Sequence, residues 1–217
     1  MTLTFPLPLA ALSDIIPIGS IRLGLQQSDE LSGTGDGRVW VAELAPPIWR
    51  AEITLARRAI PFAKQYVARI RALRGSREAF LLCDPTCLLP ASDPTGAILG
   101  AAAVTISGIG GDRFAVSLAG LPAGYALTPG DKFSLTYGSA PTRYYYGEIS
   151  EPKSANGSGA VSSIAVTPAL PAGVAAGAAI RLRSPYLKAI IAPETFNPGT
   201  SSRIHTDGIS FTALQQK

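Results

Sequence analysis

The chain has 217 residues, of which 47% are hydrophobic and 16% charged, and a formal net charge of +4. That apolar content supplies a real core for one large domain or two small ones and excludes wholesale disorder, while 22 Gly and 18 Pro without a collagen-like period fit a turn-rich β protein. The charged fraction is below the usual quarter of residues, which leaves apolar surface that a partner chain is one way to cover, and the mild positive charge describes a basic surface rather than a nucleic-acid binder.

The first twenty residues, MTLTFPLPLAALSDIIPIGS, are apolar, but the first basic residue is Arg22, and Pro6 and Pro8 break the run. They read as a β-edge segment with Pro turns rather than a signal peptide, and no apolar run is long enough to predict a membrane-spanning helix. Ile21, Leu23 and Leu25 alternate as in a half-buried strand. LSGTGDGR (31–38) has the composition of a flexible loop; it lacks a GK[ST] ending and precedes a strand, so it is not a phosphate loop. Val39, Val41 and Leu44 open the next strand. Within it Trp49, Ala51, Ile53 and Leu55 alternate with Arg50, Glu52 and Thr54, an amphipathic pattern.

One helix follows. Pro61 suits a first helical position, Phe62, Tyr66, Val67, Ile70 and Leu73 recur at helical spacing toward a sheet, and Gly75 is a C-terminal stop. Seven of the 19 basic residues, Arg57, Arg58, Lys64, Arg69, Arg71, Arg74 and Arg77, fall here with no acid among them. Two readings stand: a solvated helix face, which is the preferred one, or a positive surface for nucleic acid or an acidic partner. Ala79 to Cys83 reads as a short buried strand, and CDPTCLLPASDPTG (83–96) as turn chemistry at a domain boundary.

From Ile98 to Leu187, short alternating runs are separated by Gly, Pro and Asp at the spacing of a small all-β sandwich or barrel. The predicted strands are 104–106, 114–118, 133–137, 144–149, 163–166 and 179–182, with KSANGSGA (153–160) an exposed hairpin or loop. Ala189 to Ile191 and Ile209 to Leu214 are further strands, around a loop at NPGTSS (197–202). The last strand can pair with the first unit. The expected organisation is therefore one mainly β unit with one helix over 1–97 plus 188–217, and a small β domain inserted at 98–187.

Residues able to carry chemistry are few. Cys83 and Cys87 form C-x3-C with no further cysteine and a single histidine, His205, in the chain. That is too few ligands for a zinc site without a carboxylate such as Asp84, so reduced thiols are the default and a disulfide the alternative. A Cys83–His205 nucleophilic pair lacks a surrounding motif. Asp112, Asp131, Glu148 and Glu151 are scattered singly. In the run Tyr144–Tyr146, Tyr144 and Tyr146 share one strand face. They fill a barrel, the preferred reading, or they present an aromatic contact for saccharide or bases. No catalytic, cofactor or metal residues are assigned.

The ordered features match a known pattern. VWVAELAPPIWRAEITL is followed by the helix FAKQYVARIRALRG and then AFLLCDP. After these come GLPAGYALTPGDKFSLTYG, RYYYGEI, AVSSIAVTPALPAG and AAIRLRSP. This order, over residues 31–190, resembles the distal tail proteins of long-tailed, non-contractile bacteriophages and of phage-like gene transfer agents. The resemblance implies a split β-barrel with a helix, carrying an inserted small β-barrel domain. It implies a hexameric ring of identical subunits in the virion tail tip, assembled in the host cytoplasm, with no membrane insertion. The ring would join tail-tube protein to hub or baseplate protein, near the tape-measure protein, around a channel through which DNA passes without sequence recognition. Such proteins are structural and hold no cofactor, so no catalytic residue carries over. Two rival expectations are a saccharide-binding module using Tyr144 and Tyr146, and a cell-wall hydrolase using Cys83 or paired carboxylates.

Overall fold

A computed structural model of the chain describes residues 3–33 and 35–216. Over these residues the protein is mainly β, 46% strand and 7% helical, with one α-helix. In chain order its first elements are β1 (Ile18–Gly33), β2 (Val39–Leu55), β3 (Arg58–Ala59), α1 (Ile60–Arg71) and β4 (Phe80–Cys83). Then come β5 (Thr105–Ile109), β6 (Ala115–Ala119), β7 (Ala126–Leu127), β8 (Lys132–Tyr137), β9 (Arg143–Ile149) and β10 (Lys153–Ser154). The last are β11 (Val161–Thr167), β12 (Ile180–Arg181), β13 (Tyr186–Ile191), β14 (Asn197–Ser201) and β15 (His205–Gln215). The chain divides into two compact units, Met1–Phe80 with Ala189–Gln215 and Leu81–Lys188 with Gln216–Lys217. The Pro-rich segment 84–97, expected with the first unit, falls in the second.

The first unit is built on a sheet of order β1-β2-β15-β13-β4, with β3 and β14 also paired to β15. The chain crosses from one unit to the other within or beside β4 and β13. The alternation read in β2 is realised: Trp49, Ala51, Ile53 and Leu55 are buried, and Arg50, Glu52 and Thr54 are exposed. A period of two puts one set on the core face and the other in water. α1 lays Ala63 and Ile70 inward, with Leu73 just past its end. Phe62, expected on that inner face, is instead 55% exposed. It sits at the edge of the apolar stripe, where helical spacing does not distinguish edge from centre. NPGTSS, expected as a loop, contributes β14, antiparallel to β15 from Asn197↔Ser210 to Ser201↔Thr206. Gly199 at φ +79° lets the chain fit there, because an added Cβ would crowd the Asp207 carbonyl and Ile209.

The second unit is a six-stranded sheet of order β12-β8-β9-β11-β6-β5. Its ends meet: Ile106 N–H donates to the Ala178 carbonyl at 2.9 Å, Gly177 N–H to Ile106 at 2.8 Å and Ile180 N–H to Val104 at 2.8 Å. The sheet is thereby nearly closed into a barrel, which leaves little unpaired edge. Inside lie Ile106, Val116, Leu118, Phe133, Leu135, Tyr145, Ile149, Ile164 and Val166. One cation ties the loops of this barrel together. Arg113 donates from Nε to Leu170 O at 2.7 Å, and from Nη2 to Pro171 O at 2.5 Å and Val174 O at 2.7 Å.

Candidate functional site: an exposed arm and a basic helix

The main departure from expectation lies at residues 26–47. LSGTGDGR was expected as a loop, yet β1 continues to Gly33 and pairs with β2 up to Gly33↔Val39. β15 accompanies β2 only along Arg50–Thr54. Beyond that, β1 and β2 form a two-stranded arm turning at Gly35–Gly37. A lone two-stranded ribbon is marginal in water unless a face is covered. This one carries Leu31, Val39, Trp40, Val41 and Leu44, exposed by 63–69%. Alternation puts Leu31, Val39 and Val41 on one face and Trp40 and Leu44 on the other, so both faces leave large apolar side chains in water, which marks an interaction surface.

The arm is also acidic. Asp29, Glu30, Asp36 and Glu43 face only Arg38 in the same stretch, and Arg38 is tied to Asp36 at 3.3 Å. Asp29 pairs directly with Glu43 across the ribbon. Directly opposed like charges work against a strand pair. Leu31↔Val41 is the next pair on the same face, so an apolar patch and two carboxylates lie side by side.

All seven basic residues singled out around the helix are exposed. They are not equivalent. Arg69 donates from Nη1 to the Ala11 carbonyl at 2.7 Å, which makes it a brace for the N-terminal segment. Arg57 approaches His205 Nδ1 at 3.4 Å, Arg58 contacts the Arg57 carbonyl at 3.4 Å, and Arg74 pairs with Glu78 at 3.8 Å. Among the described residues Lys64, Arg71 and Arg77 have no ion pair, and Lys64 and Arg71, two turns apart, share one side of α1.

The tyrosine run does not form an exposed aromatic face. Tyr145 points into the barrel, 5.7 Å from Phe133 by ring centroids, and donates its hydroxyl to Pro168 O at 2.5 Å. Tyr146 is fully buried on the other side of the strand. Burial pushes its phenol pKa up, and the nearby Asp84, Cys87, Cys83 and Glu148 push it further. Tyr146 is therefore unavailable as a ligand contact. Tyr144 alone stays half-exposed, 6.2 Å from the Tyr186 ring, over which Arg181 sits at 5.1 Å.

Cys83 is a buried thiol and Cys87 a half-exposed one, and neither is in a disulfide. Cys83 and His205 belong to different units. Among the described residues no three His, Cys, Asp or Glu side chains gather where they could hold a metal ion. A cleft of about 520 Å³ between Pro85–Pro94 and Pro129–Lys132 has its charged groups engaged. Asp131 accepts from Ala91 N–H at 2.8 Å and Thr128 N–H at 2.7 Å, and Lys132 is paired with Glu148. Asp93, also in this Pro-rich segment, is buried. Burial works to raise its pKa, but backbone N–H groups from Gly96 to Leu99 outweigh it and hold the carboxyl below its ordinary range. These carboxylates fasten the segment in place, a role that spacing alone did not reveal. No helix among the described residues is long and apolar enough to cross a membrane.

Compared with known proteins, the chain matches no family model and no curated sequence.

Proposed function

We propose that this chain is a structural, self-associating component of the tip of a long, non-contractile phage tail or of a phage-like particle, of the distal tail type. In this reading the first unit forms a ring, six-fold by the resemblance. The ring joins the tail tube to the hub or baseplate, beside the tape-measure protein and around the channel for DNA. The role is architectural rather than catalytic, and the setting is the virion tail tip after assembly in the host cytoplasm.

The observation that supports it best is the arm, an ordered ribbon whose large apolar side chains are left to solvent in a single copy. A subunit of a cyclic assembly needs two different complementary surfaces, and such a ribbon is one of them. The saccharide-binding alternative loses half its aromatic pair with the burial of Tyr146.

The test is the mass of the purified chain by light scattering, with co-purification against tail-tube protein from the same genome. The expected result is an oligomer, or a stable complex with tail-tube protein, and the chain at the tip of purified particles by cryo-electron microscopy. A strictly monomeric chain that is absent from purified particles would refute the reading.

A further inference from the structure

The arm and the basic helix carry matching chemistry, and both are solvent-exposed in one copy. Residues 26–47 hold four acids and one base; residues 57–77 hold seven bases and no acid. On the arm, the Asp29–Glu43 pair lies beside Leu31–Val41. On the helix, Lys64 and Arg71 share one side, and neither has a partner acid among the described residues. Each surface is unfavourable alone: like charges are crowded, and apolar groups face water. Each is what the other lacks.

We propose that the arm of one copy docks on the α1 surface of a second copy, with Asp29 and Glu43 meeting Lys64 and Arg71. The contact is head-to-tail, since the two surfaces differ, so it builds a ring when the rotation closes and a filament when it does not. Its occupant is a second copy of this chain because the complement to the arm's charge is present on the chain itself. The bulge between Ser28 and Asp29, the carboxylates, and Pro46 and Pro47 discourage indiscriminate strand addition, so the arm selects a cationic partner. The inference rests on the reading above only for the claim that copies associate; it is independent of the particle they build.

The test uses four forms of the full chain. These are the wild type, an arm reversal (Asp29→Lys with Glu43→Lys), a helix reversal (Lys64→Glu with Arg71→Glu), and the chain with all four changes. All sites are exposed, so folding is checked by circular dichroism and expected to be unchanged. Wild-type self-association, followed by light scattering, should weaken as salt rises. Each reversal alone should weaken it by about tenfold or more, because like charges then face each other. The four-change chain should recover it. Mixing the two reversals should also recover it as an alternating assembly, since the acidic arm of one meets the basic helix of the other and the reversed arm meets the reversed helix.

Wild-type mass retained by both reversals would overturn the contact while leaving the ring reading in place. Loss of mass in the helix reversal but not the arm reversal would also overturn it, and would pair the basic surface with a region of the second copy other than the arm. A wild type monomeric throughout would overturn it too. An arm-dependent oligomer absent from virions would instead sink the tail assignment and leave this contact standing.

Discussion

Arg113 offers the sharpest test of how the barrel unit is held. Its guanidinium donates three bonds of 2.5–2.7 Å to the carbonyls of Leu170, Pro171 and Val174, while its own carbonyl accepts from Leu170 N–H at 2.9 Å. Those carbonyls belong to the segment linking β11 to β12, ahead of the point where Gly177–Ala179 meets β5. Bonds from a charged donor contribute about 1.5–3 kcal/mol each when fully desolvated. Arg113 is half-exposed and its bonds share one side chain, so the sum is discounted to about 2–4 kcal/mol for Arg113→Ala. The residue also sits at φ +62°, a left-handed conformation that costs a non-glycine residue about 1–2 kcal/mol. Arg113→Gly therefore loses the same bonds but relieves that strain, and it should be less damaging than Arg113→Ala by about 1 kcal/mol. Arg113→Lys keeps the charge but not the fork, and should fall between wild type and Ala. Amide hydrogen exchange at Leu170 and Val174, with thermal melting alongside, reads all three. If Arg113→Ala leaves those amides protected and moves the melt negligibly, or if Gly proves worse than Ala, the clamp described here is not what holds the segment.

Gly159 sits at φ +74°, and a Cβ there would collide with the Leu121 carbonyl. Gly159→Ala should cost about 2–4 kcal/mol in a denaturant titration, and Gly157→Ala, with open space around it, less than about 0.5 kcal/mol. In acid, Asp93 and Glu151 are both held below their ordinary carboxyl range. Asp93 is held by backbone N–H groups that outweigh its burial, and Glu151 by Ala165 N–H and Lys153. A depressed carboxyl stabilises above its unfolded pKa, so stability should fall as pH drops below about 4 and through the folded values. Asp93→Asn should be less stable at neutral pH and show a flatter acid limb in melts taken from pH 6 downward. In alkali the sign reverses. Burial, with Asp93 and Asp131 nearby, pushes Tyr125 up to about 12, and burial pushes Tyr145 and Tyr146 higher. A raised phenol stabilises fully below its unfolded pKa near 10, and that contribution is lost as pH climbs through the folded values. Phenolate absorbance should therefore show these three tyrosines ionising only as the chain unfolds; three that titrate normally in the folded protein would contradict the burial.

What the sequence made legible follows from local rules. The alternation at Trp49–Leu55 identified both the strand and its buried face, because a strand's period of two needs no knowledge of its partners. The helix and the turn-separated strands of 98–187 were legible for the same reason. Barrel closure was not, since it is made by backbone groups at Val104, Ile106, Ala178 and Ile180 that carry no side-chain pattern. The arm was missed because Ser28, Asp29, Glu30 and Ser32 have poor strand propensity; they are extended because Val39–Ala45 pairs with them, a non-local effect. Tyr146 was placed with Tyr144 on one face correctly, but the chain that covers that face comes from residues 83–87, far away in sequence.

The same contrast bears on what the candidate site is. A sheet edge or ribbon left open to water is normally shortened, charged or covered, because unpaired strands recruit other strands without discrimination. The arm here keeps its length and its apolar residues but adds opposed carboxylates and a bulge. That combination weakens the isolated ribbon and penalises any neutral or acidic strand approaching it. It is tolerable only if a cationic surface is met, and the chain presents one on α1. The low overall charge noted at the outset therefore averages over two segments of opposite sign, and it is their separation along the chain that carries the functional information.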